Sequence, residues 1–212
     1  RDMEKVKPAF EDLLRRMQTD YIDLGMIHFI DNAQEFDRVI NGEFMEYVRL
    51  LKKDGVIRHI GMSTHNPETA KLAACQGEIK MILFSINPAF DMLPPVTDLE
   101  EYFAERYEES LSGIAPEREE LYKLCEQNRV GITVMKGYAG GRLFNPKTSP
   151  FGVALTPVQC LHYALTRPAV ASVMAGFDNP QHVYEATAYE TASEEEKDYA
   201  SVLASAPSHA FS

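Results

Sequence analysis

The chain has 212 residues, 45% hydrophobic and 25% charged, with 32 Asp and Glu against 21 Lys and Arg, a net charge of −11. This is enough for one domain with a sizeable core, and without a cluster of Lys and Arg a nucleic-acid partner is not expected. Cys75, Cys125 and Cys160 lie far apart with no C-x-x-C pair, which argues against a bound metal or a disulfide framework and fits a reducing cytoplasm. No apolar run approaches the ~20 residues of a membrane span. The charged, helix-patterned start at Arg1 is not a signal peptide and has no initiator Met, so the chain is expected to begin inside a longer one.

The apolar residues Val6, Phe10, Leu13, Leu14 and Met17 recur at helical spacing and predict a helix over 3–17. Residues 21–28 are short and nearly all apolar, as in a buried parallel strand. A helix over 43–53 ends at Gly55, which suits the left-handed residue after a helix. A strand over 56–62 reaches Ser63, and Pro67 opens a helix to about Gln76. The strand 80–86 stops at Asn87-Pro88. An acidic connection from Asp91 to Gly113 follows, and its carboxylates Glu100, Glu101, Glu105, Glu108 and Glu109 read as a solvated face. A helix covers 116–128, and a strand over 131–135 ends at Lys136-Gly137, before a loop carrying Gly140-Gly141-Arg142. Thr156-Pro157 caps a helix to about Thr166. The strand 170–174 ends at Ala175-Gly176, and Asn179-Pro180 opens a helix to about Tyr189. Ser193 to Glu196 has the spacing of a capping box for one last helix to about Ala204.

One helix, five βα units and a terminal helix imply a parallel sheet with helices outside. No G-x-G-x-x-G follows a strand, so a doubly wound dinucleotide domain has little support. The expected fold is an incomplete (β/α)8 barrel over 1–212, with about five of eight βα units present. Such a chain exposes two strand edges, so it is expected to be marginal alone or to form a homo-oligomer across them.

The predicted strands end at His28, Ser63, Asn87, Lys136 and Gly176, on the face where barrels carry their chemistry. His28 reads either as a hydrogen-bonded strand-end histidine or as a neutral imidazole that orients a substrate oxygen. Lys136 is either a phosphate contact or a solvated lysine. Gly140 and Gly141 make a turn whose N–H groups could approach an anion. If the missing strands come first, that loop and Gly176 follow the seventh and eighth strands, the usual phosphate site. The helix opening at Asn179-Pro180 would then aim its N-terminus there.

Three stretches resemble the aldo-keto reductase family. Residues 21–28, Tyr-Ile-Asp-Leu-Gly-Met-Ile-His, look like its fourth strand, which ends in the active-site histidine. Lys53, Gly55, Arg58, Gly61 and Ser63 match "K-x-G-x-x-R-x-x-G-x-S" at the fifth strand. Residues 170–185, with Gly176, Pro180 and Glu185, look like the eighth strand and its dinucleotide-binding helix. The long insertion and the Met135-Lys136 strand end are similar to bacterial members that continue into a ferredoxin-like tail.

The resemblance implies hydride transfer between a nicotinamide and a small aldehyde or ketone. By position it assigns the substrate-orienting histidine to His28 and nicotinamide contacts to Ser63 and Thr64. It assigns the pyrophosphate loop to Lys136, Gly140, Gly141 and Arg142, and the adenosine end to Gly176, His182 and Glu185. The family's tyrosine, aspartate and lysine come from its first three units, which have no match here. Thr64 stands where an Asn is usual, Leu83 near the place of a Gln, and His182 where an arginine often reads the 2′-phosphate. NADP is the expected cofactor, with NAD open. Two other readings compete: a non-catalytic nucleotide- or partner-binding barrel fragment, and an unrelated phosphate-binding barrel lyase or isomerase with His28 as base.

Overall fold

A computed structural model describes residues 1–92 and 113–206. The chain divides into two compact units, one of 1–83 with 124–131 and one of the described residues of 84–123 and 132–212.

The first unit begins with α1 (Met3–Met17), β1 (Ile22–Ile27), α2 (Ala33–Ile40) and α3 (Glu43–Lys53). It continues with β2 (Ile57–Ser63), α4 (Pro67–Cys75) and most of β3 (Ile79–Ser85). Its strands lie in the order β1-β2-β3. All are parallel, with Ile22 opposite Ile57, Ile27 opposite Met62 and Ser63 opposite Leu83. Gly61 is where β2 comes close to β3. A Cβ there would sit 3.1 Å from the Met81 side chain and 3.3 Å from its backbone oxygen, so the motif glycine serves sheet packing. The motif's Arg58 is also structural: its guanidinium lies 2.5 Å from Asp23 and 4.1 Å over the Tyr21 ring. Ile27, Ile30, Met45, Ile60, Met62, Ile79 and Ile82 fill this unit's core. Each such side chain contributes roughly 1.5–3 kcal/mol by leaving water.

Two expectations change here. The helix α2 had no counterpart in the sequence reading, although Asn32 accepts from the Glu35 N–H at 2.8 Å, a cap with a recognisable spacing. The strand over 21–28 is not buried as expected: Leu24 is exposed and the Asp23 side chain is 72% accessible. As the outer strand of this unit, β1 has β2 on one side only. Likewise, α1 has its expected apolar stripe but no buried residue. With β1 and α3 it borders an open apolar cleft of about 130 Å³.

The second unit holds the end of β3, α5 (Pro88–Met92), the first two turns of α6 (Pro116–Asn128) and β4 (Gly131–Met135) from Ile132 onward. A 3-10 turn (Ala139–Phe144), α7 (Pro157–Leu165), β5 (Val170–Val173) and α8 (Pro180–Thr187) follow. The strand order is again that of the chain, β3-β4-β5, and β4 runs parallel to β5, with Val134 opposite Val173. No strand order reverses in either unit, and a doubly wound sheet would require a reversal. The expected last helix is two, α9 (Glu194–Lys197) and α10 (Tyr199–Ala204). Asp198 breaks it, because its carboxylate caps the Ser201 N–H at 2.9 Å.

Asp91, expected to begin the acidic connection, is instead a residue of α5, while Glu100, Glu101, Glu105, Glu108 and Glu109, read as a solvated face, lie outside the described residues. Asp91 is fully buried on α5. Its carboxylate accepts from Arg118 Nε at 2.7 Å, the Tyr122 hydroxyl at 2.6 Å and the Tyr163 hydroxyl at 2.8 Å. Arg118 also donates to the Ser85 carbonyl and lies 4.6 Å over the Phe84 ring. Burial, then the adjacent Asp91 charge, pushes both phenols up, so they remain donors to the carboxylate.

Asp91→Ala and Arg118→Ala each strand one partner in the core and should cost about 3–5 kcal/mol in urea unfolding. Tyr163→Phe removes a single bond to a charged acceptor and should cost about 1.5–3 kcal/mol. Losses below about 1 kcal/mol for all three would show that this network does not hold the unit together.

Candidate active site

In the first unit the candidate residues gather where β1 and β2 end. His28, one residue beyond β1, is exposed. Its backbone is held from outside, since Arg1 donates to the His28 and Phe29 carbonyls at 3.0 and 3.2 Å. Arg1 is in turn paired with Glu35 at 2.6 Å. The Phe29 ring stands 6.0 Å from the His28 ring and 5.4 Å from the His65 ring, measured between centroids.

Asp31 organises the end of β2. One of its oxygens accepts from the Thr64 hydroxyl at 2.9 Å and the His65 N–H at 2.7 Å. The other lies 3.1 Å from His65 Nδ1. A carboxylate beside Nδ1 favours the tautomer with its proton there and leaves Nε2 as the acceptor nitrogen. Asp31 and His65 were not singled out from the sequence. Their only sequence signal is an Asp three residues after the first strand-end His, and a His two after the strand-end Ser.

Ser63 is 2% exposed, and its hydroxyl has no hydrogen-bond partner within the described residues. A buried hydroxyl without a partner costs about 1–3 kcal/mol, so its retention points to a ligand group that satisfies it. Thr64, fully buried, spends its hydroxyl on Asp31. Leu83, near the place of the family's Gln, pairs with Ser63 across β2 and β3; its carbonyl accepts the Thr64 N–H at 3.2 Å, but its side chain offers no polar atom.

In the second unit the candidates line a cavity of about 610 Å³ beyond the ends of β4 and β5. Lys136, Gly140, Gly141, Gly176, His182 and Glu185 border it, joined by Tyr138 and Asp178, which the sequence reading had not assigned. Arg142 is not among the lining residues. The β4 end turns sharply. Lys136 has φ +59°, and its carbonyl accepts from Asn87 Nδ2 and the Ala139 N–H, each at 2.9 Å. Gly140 and Gly141 take φ +65° and +82°, conformations that suit glycine, and a Cβ on Gly140 would meet only open space.

Tyr138 presents a second orphan, a buried hydroxyl without a partner within the described residues. Burial first, then Cys160 and Glu185, raise this phenol to about 12. It therefore stays a neutral donor throughout the physiological range. A phenol raised in the folded state stabilises below its unfolded value near 10, and that contribution disappears as pH rises towards 12.

The expected anion site at the start of α8 is less open than its sequence suggests. Pro180 has no N–H, Asn179 Oδ1 accepts the His182 N–H at 3.2 Å, and the Asp178 N–H points to His182 Nδ1 at 3.3 Å. Among the described residues, no group of three or more His, Cys, Asp or Glu could hold a metal ion.

Parallel strands in unreversed order, with polar groups at their C-terminal ends, define a chain of the (β/α) barrel class. The model of the Aldo/keto reductase family matches residues 2–156, and the chain belongs to that family. It is 28% identical over 182 residues to the uncharacterized oxidoreductase YqkF of Bacillus subtilis, covering 81% of this chain and 55% of that protein. It is also 37% identical over 60 residues to the methylglyoxal reductase DkgB of Escherichia coli O157:H7, covering 28% of this chain and 21% of that protein.

Among solved structures it resembles the holo form of aldo-keto reductase AKR11C1 from Bacillus halodurans, with a TM-score of 0.63 and 24% identity over 95% of this chain and 65% of that one. An aldo/keto reductase from Klebsiella pneumoniae, in complex with NADP and acetate, superposes with a TM-score of 0.55 at 20% identity, over 90% and 62% of the two chains. The chain thus spans about half the length of YqkF and just under two thirds of the AKR11C1 chain. An incomplete barrel follows, as the strand count implied.

Ser63→Ala removes a buried hydroxyl that has no partner. It should leave the stability of the unliganded chain unchanged, or raise it by up to about 1 kcal/mol in urea unfolding. A loss of more than about 1 kcal/mol would mean that the hydroxyl is satisfied within the protein.

Proposed function

We propose that the chain is part of a nicotinamide-dependent oxidoreductase acting on small aldehydes or ketones. The observation that carries this reading is the pair of buried, unpartnered hydroxyls on Ser63 and Tyr138 in a chain of the aldo-keto reductase family. A reduced nicotinamide, when bound, supplies the hydride. Ser63 would donate to or accept from its carboxamide, with Thr64 fixed beside it by Asp31. His28 would orient the substrate oxygen. In the second unit, Lys136, Gly140 and Gly141 of the cavity lining would hold the pyrophosphate together with Arg142. Gly176, His182 and Glu185 would hold the adenosine end. NADP in the Klebsiella relative supports a nicotinamide dinucleotide, and NAD fits the same contacts.

Three free thiols, two of them buried and pushed up to about 12 by burial, support a reducing compartment such as the cytoplasm. Among the described residues no helix is long and apolar enough to cross a membrane. The half-exposed β1 and β5 support pairing of these edges, with further barrel units or with a second copy. The net charge of −11 offers nothing to nucleic acid.

A second reading, a non-catalytic nucleotide- or partner-binding barrel fragment, draws on one observation. The chain spans 55% of YqkF and 65% of AKR11C1.

The test is oxidation of a reduced nicotinamide by the full-length protein in the presence of a small aldehyde. Turnover is expected, and His28→Ala should lower kcat/KM by about 10²–10⁴-fold while leaving coenzyme affinity within about twofold. Coenzyme binding without turnover would favour the second reading.

A further inference from the structure

One carboxylate joins the first two strand ends of the first unit. Asp31 lies three residues beyond His28, in the connection from β1 to α2. Its Oδ1 accepts from the Thr64 hydroxyl at 2.9 Å and from the His65 N–H at 2.7 Å, both in the connection from β2 to α4. A carboxylate acceptor makes such bonds roughly twice as strong as neutral ones. The Thr64 hydroxyl in turn accepts the Asn66 N–H at 3.1 Å, and Asn66 caps α4 by accepting the Thr69 N–H at 3.0 Å.

The backbone on either side is held as well. Ile30 donates its N–H to the Ser63 carbonyl at 3.0 Å, and Thr64 donates its own to the Leu83 carbonyl at 3.2 Å. Arg1 holds the His28 and Phe29 carbonyls. Residues 28–31 and 63–66 therefore form one braced corner. None of these bonds uses the Ser63 hydroxyl, which stays without a partner within the described residues. Asp31 makes no hydrogen bond to the His28 or Ser63 side chain, yet it ties together the segments that carry both.

We infer that Asp31 is a positioning residue, which holds the His28 segment against the Ser63 segment so that both side chains serve one bound coenzyme and substrate. This inference rests on the proposed oxidoreductase reading of the chain.

Steady-state kinetics of the full-length protein, with a reduced nicotinamide and a small aldehyde, tests it. Asp31→Ala should lower kcat by about 10–100-fold, as a misplacement of about 1 Å can do. The aldehyde KM should stay within about threefold, because no substrate contact is removed. Asparagine keeps an oxygen for both donors, so Asp31→Asn should recover kcat to within about threefold of the unsubstituted protein. Added to His28→Ala, Asp31→Ala should cost less than about a further threefold, because a residue that acts through His28 then has nothing left to position. An unchanged kcat in a folded Asp31→Ala variant, a fully additive loss in the double variant, or a loss above about threefold in Asp31→Asn would each overturn the inference. The Asp31→Asn result decides the matter if Asp31→Ala does not melt cooperatively. Absence of turnover in the unsubstituted protein would instead overturn the oxidoreductase reading, and the inference with it.

Discussion

The second unit depends on how one buried carboxylate is satisfied. Asp91 is fully enclosed, and an ionised carboxylate in that position persists only if its oxygens are met by charge and by donors. Arg118 supplies the charge, and Tyr122 and Tyr163 supply hydroxyls from α6 and α7. Those partners fix where α5 begins, and so fix Asn87 just before it. Asn87 accepts from the Phe90 N–H and donates to the Lys136 carbonyl, at 3.0 and 2.9 Å. The left-handed turn that points the chain from β4 into the cavity is therefore secured by a network with no atom in the cavity lining. Catalytic folds routinely rely on such support, because a turn at positive φ on a lysine carries a backbone cost that its surroundings must offset.

The first unit is governed by a different constraint, the edge. Its outer strand β1 is exposed at Asp23 and Leu24 and buried only at Gly25 and Ile27, and α1 presents an apolar stripe with no buried residue. In a closed barrel every strand has two neighbours and every helix lies against the strands. The unpaired side of β1 and the cleft lined by Val6, Phe10 and Ile22 are what an interrupted barrel leaves open. Arg58, stacked on Tyr21 and bonded to Asp23, places charge and a ring at this edge, a common way to discourage indiscriminate strand pairing.

Much of this was readable from residue order, because each strand is short, apolar and followed by a helix with its own start signal. Asn66, Thr156 and Asn179 cap the helices that follow them, each through a side-chain oxygen three residues before the N–H it accepts. The strand ends chosen as candidates do lie at or just beyond β1, β2, β4 and β5. What could not be read is equally specific. Burial of β1 was inferred from its composition, but exposure depends on whether a neighbour exists, which composition does not encode. Asp91 opened an acidic stretch with no sign of a buried role, because its partners Arg118, Tyr122 and Tyr163 lie 27, 31 and 72 residues away. Asp31 and His65 escaped for the same reason, since their pairing spans 34 residues.

The two orphan hydroxyls and the charge of the cavity differ in what they say about a ligand. An unpartnered buried donor, as on Ser63 and Tyr138, states that something polar is expected there, but little about its identity. Charge is more selective. An anion is tolerated where a lysine and a glycine turn meet, and it is disfavoured where carboxylates stand and the local N–H groups are already bonded. The cavity beyond β4 and β5 contains both kinds of region, with Lys136 and Gly140 supplying one and Asp178 and Glu185 the other. A ligand that matches both must be anionic at one part and a hydrogen-bond donor at another.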